Sequence, residues 1–325
     1  MKTILVTGGA GFVGHHIVEG ILKDTDWSVV ILDRLDISGN LERLRDIDIW
    51  EANKHRVKFI WHDLKSPLNE WIKKETGKPD YIWHLAASSH VDRSIEDPLS
   101  FVMDNVVGTC NILNYAREVK PSLFIYFSTD EVFGPAPVGT DYKEWDRYHS
   151  ANPYSASKAG GEELAVAFEN TYKLPIIITH SMNLYGERQH PEKFIPLCIK
   201  KILAGDEILI HSDKTKTISG SRKWIHCRNV AKALMFLTEK GKSGDKYNIV
   251  GEEVTNLELA KLIAKVIKKP LIYRMVDFHS SRPGHDLRYS LDGSKLEQMG
   301  FNFPKNLESS LTKTVQWYLD NQGWL

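Results

Sequence analysis

The chain has 325 residues, a length that predicts roughly two domains around a sizeable hydrophobic core. Its 42% hydrophobic and 26% charged residues are typical of an ordinary globular protein, and no apolar run approaches the ~20 residues that span a bilayer. Lysine plus arginine and aspartate plus glutamate each number 42, so no overall charge attracts nucleic acid or a membrane surface, and neither partner is expected.

Short apolar runs alternate with amphipathic stretches from the first residues onward. These runs are rich in β-branched and aromatic side chains, predict buried strands, and cover residues 3–6, 29–32, 57–60, 81–85, 123–127 and 176–179. Alternation of strands with helical patterns predicts an α/β fold, a doubly wound parallel sheet with right-handed crossovers. The second half is less regular, with proline-containing loops near 191–196 and 280–285, and it predicts a smaller mixed α/β domain towards the C-terminus.

A glycine-rich turn at residues 7–14 (TGGAGFVG) follows the first predicted strand and opens the first predicted helix. Glycines at this spacing let the backbone turn tightly and approach a pyrophosphate, whose charge then lies at the helix N-terminus. Glycine clusters often only make turns, but the strand before this one and the helix after it favour a dinucleotide site. The predicted contacts are Gly8, Gly11, Phe12, Val13 and Gly14.

Asp33 ends the second predicted strand. An acid at this place accepts hydrogen bonds from the adenosine ribose and repels a 2′-phosphate, which predicts NAD rather than NADP as the cofactor. Arg34, directly beside it, would soften that preference. Two further segments fall where adenine and phosphate contacts are needed, although ordinary loop or strand-end packing is the alternative for each. They are Asp63 and Leu64 after the third strand, and Leu85, Ala86 and Ala87 after the fourth.

A second group of polar residues follows the fifth predicted strand. Thr129, Asp130 and Glu131 come at its carboxyl end, where ligands bind in folds of this kind. Tyr154 and Lys158 lie four residues apart and would share a helix face. A tyrosine and a lysine at this spacing are common by chance, but together with the neighbouring acids they favour a catalytic site.

The chemistry of these side chains suits redox-coupled elimination of water. A phenol with a pKa of ~10 is a poor base, and a lysine ammonium and a nicotinamide cation nearby would lower the pKa of Tyr154. Two carboxyl groups beside a hydride acceptor supply an acid for a leaving hydroxyl and a base for a carbon-bound proton. A solvated acidic turn is the alternative for Asp130 and Glu131.

With these motifs the chain resembles the extended short-chain dehydrogenase/reductase superfamily, and within it the nucleotide-sugar dehydratases, which include the dTDP-glucose 4,6-dehydratases. The similarity runs nearly end to end. Its most specific pieces are residues 84–87 (HLAA), 89–95 (SHVDRSI), 105–109 (NVVGT), 128–134 (STDEVFG), 191–196 (PEKFIP) and 282–286 (RPGHD). The resemblance implies a Rossmann-type NAD domain over 1–183 plus about 224–252, and a nucleotide-sugar-binding domain over 184–223 plus about 253–325.

The resemblance also implies a role for each catalytic residue. Thr129 would bond the C4 oxygen of the sugar and Tyr154, beside Lys158, would take its proton while hydride passes to NAD. Glu131 would remove the C5 proton and Asp130 would protonate the departing C6 hydroxyl. Return of the hydride to C6 would give a 4-keto-6-deoxy sugar. Epimerases of this superfamily lack the Thr-Asp-Glu triplet, so the triplet favours dehydration over epimerisation or decarboxylation.

For the nucleotide sugar, the resemblance implies contacts from a set of mostly polar residues. An arginine fork bonds a diphosphate bidentately, so Arg222 and Arg282 are favoured over Lys193. Surface salt bridges are the alternative for the charged members. The full set is Ser89, His90, Asn183, Glu192, Lys193, Phe194, Arg222, Asn248, Arg282 and His285. No metal ion is expected.

Some segments depart from the dehydratase pattern. Ser88 replaces the glutamate that usually follows the two alanines, so a carboxylate near the sugar is lost. Residues 186–190 and 220–226 look closer to a UDP-N-acetylglucosamine 5,6-dehydratase of the tunicamycin pathway, which eliminates the same water but returns hydride to C4. The sequence leaves this outcome open. A scaffold that binds NAD without catalysis is a further alternative, and the retained catalytic residues argue against it.

Two predicted helices, around 101–118 and 154–172, have apolar residues beyond a single face. These residues are Val106, Ile112, Leu113, Leu164 and Phe168. Two such helices from each subunit would form a four-helix bundle, and the resemblance implies a homodimer of that kind. Packing within the core of one chain is the alternative.

Three cysteines, Cys110, Cys198 and Cys227, are widely spaced and odd in number, which fits neither a disulfide framework nor a zinc cluster. Buried free thiols are expected, and they suit a reducing cytoplasm. The first residues lead directly into a strand without the plan of a signal peptide, in keeping with that compartment.

Overall fold

A computed structural model describes residues 1–277 and 288–325 of the chain. Its strands are β1 (Thr3–Thr7), β2 (Ser28–Asp33), β3 (Val57–Trp61), β4 (Tyr81–His84), β5 (Leu123–Thr129), β6 (Ile176–Ser181), β7 (Asn183–Tyr185), β8 (Ile208–Ser212), β9 (Ser221–His226), β10 (Asp245–Ile249), β11 (Glu252–Thr255) and β12 (Tyr273–Asp277). Its helices are α1 (Phe12–Asp24), α2 (Glu42–Arg45), α3 (Trp50–Asn53), α4 (Glu70–Thr76), α5 (Val91–Glu96), α6 (Pro98–Val102), α7 (Gly108–Val119), α8 (Pro153–Tyr172), α9 (Phe194–Ala204), α10 (Cys227–Lys240), α11 (Asn256–Ile267), α12 (Ser294–Gln298) and α13 (Leu307–Asp320). A π-helical turn, Met103–Val107, connects α6 to α7.

Within the described residues, seven parallel strands form the main sheet in the order β10-β6-β5-β4-β1-β2-β3. The chain starts in the middle of the sheet, runs to one edge through β3, and returns to build the other half from β4. This reversal at β1 leaves a crevice outside the carboxyl ends of the strands, where doubly wound folds bind their ligands. The predicted fold class, an α/β doubly wound parallel sheet, is therefore confirmed.

Both faces of the main sheet are covered by helices. Successive side chains of a strand point to opposite faces, so Ile4 and Val6 pack with α1 and α10 while Leu5 packs with α7 and α8. All three side chains are fully buried. Burial on both faces explains why the strands read as continuous apolar runs rather than as alternating ones.

A smaller part of the structure holds two short sheets, β11-β9-β7 and β12-β8, against α9, α11 and α13. The apolar face of α13, which carries Leu307, Leu311, Val315 and Tyr318, is buried in the core of this part. Between β9 and β11 the chain returns once to the main sheet, where β10 pairs with β6.

The apolar residues that predicted a four-helix bundle divide into two groups. Ile112, Leu113 and Phe168 belong to the core between the main sheet and helices α7 and α8, so the intramolecular alternative is correct for them. Val106 and Leu164 are half-buried.

None of the helices in the described part of the chain has the length and apolar composition needed to cross a bilayer. All three cysteines are free thiols: Cys198 and Cys227 are buried as expected, whereas Cys110 is only half-buried.

Candidate active site

A cavity of about 390 Å³ runs along the carboxyl ends of the central strands. Many of the residues predicted for cofactor and catalysis line it. They are Gly8, Gly11, Phe12, Val13, Gly14, Asp33, Asp63, Leu64, Leu85, Ala86, Ala87, Thr129, Asp130, Glu131, Tyr154 and Lys158. The structure thus brings into one crevice residues that lie up to 150 positions apart in the sequence.

The glycine turn has the shape that a pyrophosphate requires. Gly8 has a φ of +72°, and a Cβ there would lie 2.9 Å from the backbone of Ala86. A Cβ on Gly14 would lie 2.1 Å from the carbonyl oxygen of Gly8, so only glycine lets the first turn of α1 pack this closely. Among the described residues no side chain caps the N-terminus of α1 at Gly11, so the first backbone N–H groups of the helix are available to an anion. These features fit a dinucleotide cofactor.

The end of β4 is fastened to this turn by a buried histidine. His84 shares hydrogen bonds with the hydroxyls of Thr7, 2.7 Å from Nδ1, and Thr109, 3.0 Å from Nε2. Burial lowers the pKa of His84 to about 3, so its imidazole is neutral and acts as a spacer. Thr7 Oγ1 also accepts the backbone N–H groups of Leu85 and Ala86, which holds the two loops of the crevice together.

Asp33 and Arg34 have very different surroundings. Asp33 is 8% exposed and accepts the backbone N–H groups of Ala10 at 3.0 Å and Leu35 at 2.9 Å, while burial raises its pKa. The guanidinium of Arg34 is held by Asp36, Asp104 and Asp63 at 2.6, 2.5 and 3.6 Å. A cation surrounded by three carboxylates is poorly placed to accept a 2′-phosphate, so the expected softening by Arg34 is not supported by its contacts.

The catalytic group forms where β5 ends in a 3-10 turn, Asp130–Phe133. The Thr129 hydroxyl donates to Asp130 Oδ1 at 3.0 Å and accepts the backbone N–H of Glu131 at 3.3 Å. Asp130 Oδ2 is buried and has no hydrogen-bond partner among the described residues. Such an orphaned carboxyl oxygen beside a cavity is available to a ligand.

Helix α8 begins with a capping box and proline, which fixes where its catalytic residues stand. Asn152 caps the helix at Ser155 N, at 2.8 Å, and its amide also donates to Glu131 Oε2 at 3.0 Å. Tyr154 follows in the first turn and Lys158 lies one turn later. The same asparagine therefore sets both the start of α8 and the orientation of Glu131.

Burial dominates the electrostatics of this group. It raises the pKa of Asp130 to about 7, with a further contribution from the Glu131 charge, and it lowers the pKa of Lys158 to about 7. Lys158 Nζ donates to the carbonyl of Phe127 at 2.7 Å. The pKa of Tyr154 lies above its usual value, because burial and the Glu131 charge both disfavour phenolate. The expected lowering of that pKa involves the charge of bound NAD as well as Lys158, so it stays a prediction for the loaded protein.

The residues predicted for the nucleotide sugar are distributed over several places. Ser89, Asn183, Lys193 and Phe194 line the main cavity. His90 and Glu192 line a second cavity of about 570 Å³ beside it, as do Ser89 and Lys193. There Glu192 lies 3.2 Å from Arg93 and 3.9 Å from His90.

The remaining substrate residues differ from expectation or lie elsewhere. Arg222 lies over the ring of Tyr289 and donates to the carbonyl of Ser221. Its charge also acts on Asp130, where it partly offsets the rise in pKa caused by burial and Glu131. Asn248 is fully buried and lines neither cavity, because its amide bonds His180 and the carbonyls of Tyr142 and Asp292. This corrects the expectation for Asn248, which supports the core. Arg282 and His285 lie outside the described residues.

Several residues that line the main cavity were not predicted from the sequence. They are Ser88, Asp104, Met182, Gln189, His190 and Trp224. Trp224 is 5% exposed and its ring stands 6.0 Å from that of Phe194, so the two aromatic rings form one wall. Their signal in the sequence is a single aromatic residue in each of two distant segments, which no local pattern connects.

Known proteins resemble the chain over nearly its whole length. The profile of the NAD dependent epimerase/dehydratase family matches residues 4–250. The dTDP-glucose 4,6-dehydratase of Escherichia coli is 37% identical over 99% of this chain and 94% of its own, and that of Neisseria gonorrhoeae is 40% identical over 99% and 96%.

Solved structures of the same kind superpose closely. A dTDP-glucose 4,6-dehydratase of Streptomyces venezuelae with NAD bound has a TM-score of 0.89 and 35% identity, over 99% of this chain and 98% of its own. A UDP-glucose 4-epimerase of Thermus thermophilus in complex with NAD has a TM-score of 0.87 at 27% identity, over 98% and 99% of the two chains. The predicted cofactor, NAD, is confirmed by this similarity.

Proposed function

Because the chain belongs to the NAD dependent epimerase/dehydratase family, we propose that it is a nucleotide-sugar dehydratase that acts on dTDP-glucose. It oxidises C4, eliminates water across C5 and C6, and yields a 4-keto-6-deoxy sugar. The observation that carries the proposal is the buried Asp130–Glu131 pair beside Tyr154 in the cofactor cavity. The dTDP-glucose 4,6-dehydratases that resemble the chain at 37% and 40% identity supply the substrate class.

The glycine turn and Asp33 hold the cofactor in this proposal. The open N–H groups at the start of α1 bind its pyrophosphate and the Asp33 carboxylate binds a ribose, with Asp63, Leu64, Leu85, Ala86 and Ala87 completing the walls. NAD, when bound, supplies a two-electron acceptor that is reduced as C4 is oxidised and reoxidised later in the same turnover. The cofactor is therefore a resident of the protein rather than a consumed substrate.

Tyr154 is the base for the C4 hydroxyl in this proposal. Burial and Glu131 hold its phenol protonated in the protein alone. Bound NAD would supply a positive charge that favours phenolate. Thr129 bonds the same C4 oxygen with its hydroxyl, which already orders Asp130 and the backbone of Glu131. Lys158, held by the Phe127 carbonyl, stabilises phenolate when it is charged.

Asp130 and Glu131 divide the elimination between them. Asp130 has a pKa of about 7 and an unbonded oxygen, so it keeps a proton that it can donate to the departing C6 hydroxyl. Glu131, oriented by the Asn152 amide, removes the C5 proton. Arg222 lies close enough to influence Asp130, and it binds the diphosphate or the sugar together with Asn183, Lys193 and Phe194.

The rate of elimination is expected to fall as the pH rises above about 7. Asp130 must be protonated to act as an acid, and its folded-state pKa of about 7 means that each pH unit well above 7 lowers its protonated fraction about tenfold. A pH profile of single-turnover water loss measures this decline. In Asp130→Asn the decline should disappear along with most of the elimination; an unchanged alkaline limb would assign it to another group.

The same pKa shift makes a stability prediction. Folding raises the pKa of Asp130 from 3.8, so the folded protein binds more protons than the unfolded one between about pH 4 and pH 7. Stability is therefore lost as the pH rises through that window, and the loss persists above it. Asp130→Asn should raise the melting temperature more at pH 8 than at pH 4.

The product distinguishes this function from its neighbours. The test is NMR of the products from dTDP-glucose, UDP-glucose and UDP-N-acetylglucosamine. The product from dTDP-glucose should show a C6 methyl doublet. Exocyclic vinyl protons would instead identify a 5,6-dehydratase, and a product of unchanged mass would identify an epimerase. Loss of water from none of the three substrates would refute the dehydratase proposal.

One observation bears on the 5,6-dehydratase alternative. Glu187 is buried among His16, His226 and Arg228, and its carboxylate is 3.2 Å from His226. Much of the similarity that favours the alternative therefore lies in a packed cluster behind the glycine helix. Gln189, His190 and Trp224 of the same segments line the main cavity and can bear on the outcome.

The domain boundaries and assembly complete the proposal. Residues 1–183 and about 224–252 form the NAD domain, and 184–223 with about 253–325 form the nucleotide-sugar domain. A homodimer would bury apolar side chains that are exposed on α5, α6 and the π-helical turn. These are Ile95, Leu99, Val102 and Met103, at 41%, 69%, 42% and 36% exposure. Sedimentation of Leu99→Glu against the parent tests this assembly.

A further inference from the structure

An ion pair at the cofactor crevice joins two segments that are distant in the sequence. Arg34 follows β2, and Asp104 lies in the π-helical turn Met103–Val107. Arg34 Nη1 lies 2.5 Å from Asp104 Oδ1, and Arg34 Nη2 lies 2.8 Å from Asp104 Oδ2. Two parallel bonds of this kind give an arginine–carboxylate pair both strength and a fixed geometry. Asp36 holds the guanidinium from its other edge, with 2.9 Å from Nε to Oδ2.

The pair stands where the two cavities meet. Arg34, Asp36, Ser88 and Asp104 line both the main cavity and the second one. Asp33 lines the main cavity only, whereas Arg93 and Glu192 line the second cavity only. The Arg34–Asp104 pair is therefore part of the wall that the main cavity and the second cavity share.

The Asp104 end of this wall is anchored to the catalytic helix. Ser88 Oγ donates to Asp104 Oδ2 at 2.5 Å. The neighbouring Asn105 fixes the backbone of Ser88 by two hydrogen bonds, of 2.8 Å to its N–H and 3.0 Å to its carbonyl, and donates to Ser157 of α8 at 2.8 Å. Asn105 is 1% exposed, so this anchor does not depend on solvent.

We propose that the Arg34–Asp104 ion pair is a clasp, a contact that slows release of the cofactor from the crevice during a turnover as well as after it. The inference rests on the proposed function, in which the reduced cofactor must stay in place until the same sugar takes the electrons back. Release at that stage would leave an oxidised sugar and a reduced cofactor apart. A clasp made of two charge-assisted bonds, with Asp104 8% and Arg34 25% exposed, slows release while remaining openable.

The experiment measures release of NAD from the loaded protein without any sugar present. The protein is saturated with NAD, freed of excess cofactor and mixed with a trap that consumes released NAD. Arg34→Met and Asp104→Asn should each raise the dissociation rate about tenfold, the range of a partly buried charge pair. The double variant should not exceed either single variant by more than about twofold, because both remove the same interaction. Arg34→Lys keeps the charge but loses the fork, so its NAD dissociation rate should lie between that of the parent and that of Arg34→Met.

Two controls separate a clasp from general loosening. Arg45→Met removes an exposed ion pair with Glu42 a short distance along the chain and should release NAD at the parent rate. The NAD-free variants Arg34→Met and Asp104→Asn should melt within about 5 °C of the NAD-free parent, because the loss of one partly buried ion pair does not unfold the site. Raised salt should accelerate release from the parent but not from the double variant.

Unchanged release in Arg34→Met and Asp104→Asn, or additive effects in the double variant, would overturn the clasp. So would melting temperatures that fall in step with retention. These outcomes differ from failure of the proposed function, which would appear as intact NAD binding with no loss of water from any nucleotide sugar.

Discussion

Replacing Glu131 with glutamine is expected to leave C4 oxidation in place while exchange of the C5 proton with solvent falls by about 10²–10⁴-fold. In the parent protein Asn152 donates to Glu131 Oε2. The glutamine amide has nearly the same size as the carboxylate, and its oxygen can accept the same bond. It cannot accept a proton from carbon. Oxidation is read from the absorbance of the reduced cofactor, and exchange from deuterium incorporated at C5 in heavy water.

The matched control for this substitution is Glu51→Gln. Glu51 is an 80% exposed carboxylate paired with Lys54, and it lines neither cavity. Exchange at the parent rate is expected there. If Glu131→Gln also exchanges at the parent rate, Glu131 is not the base; if it loses C4 oxidation as well, its role is to order the turn after β5.

Replacing Tyr154 with phenylalanine is expected to lower the rate of C4 oxidation by about 10²–10⁴-fold, because the only change is loss of the phenolic oxygen that takes the proton. Tyr154 is 8% exposed, and its ring packs at 6.4 Å against that of Phe101, a contact that phenylalanine keeps. Affinity for NAD should therefore change little. Single-turnover formation of reduced cofactor and equilibrium binding of NAD measure the two quantities separately.

Tyr273→Phe is the matched control, because Tyr273 lies on β12, is 40% exposed and lines neither cavity. It should oxidise at the parent rate. Oxidation by Tyr154→Phe at more than a tenth of the parent rate would assign proton transfer to another group, and Thr129 would be the first candidate. A matching loss of NAD affinity would indicate a displaced helix rather than a missing base.

Features that rest on adjacent residues could be predicted from the sequence. The glycine turn is one contiguous segment, and its function follows from spacing because each glycine answers a local steric demand, as at Gly8 and Gly14. Central strands of the main sheet such as β2 and β5 are buried on both faces, so their apolar runs identify them directly, whereas β10 has no such run and was not predicted. Parallel pairing follows from the alternation of strands and helices, but the order of the strands in the sheet was not predicted.

Features that depend on distant residues could not. Loss of a carboxylate at Ser88 is visible in the sequence, but nothing indicates that Asp104 lies 2.5 Å from the Ser88 hydroxyl. The role of Asn152 at Glu131 is equally hidden, because an asparagine before a proline predicts only a helix cap. Burial is equally hidden in the sequence. It raises the pKa of Tyr154 in the protein without cofactor, and it places Asn248, which was expected to contact the substrate, in the core.

The return of the chain to the main sheet through β10 has a consequence for how the protein is made. Strand β6 is buried on both faces, and one of its edges pairs only with β10, which the ribosome produces after the intervening residues 182–244. At typical synthesis rates that edge stays open for several seconds, with its backbone groups exposed to other strands. Early release of the nascent chain in this interval favours aggregation over folding. Chaperone dependence should accordingly be greatest for chains that end between β6 and β10.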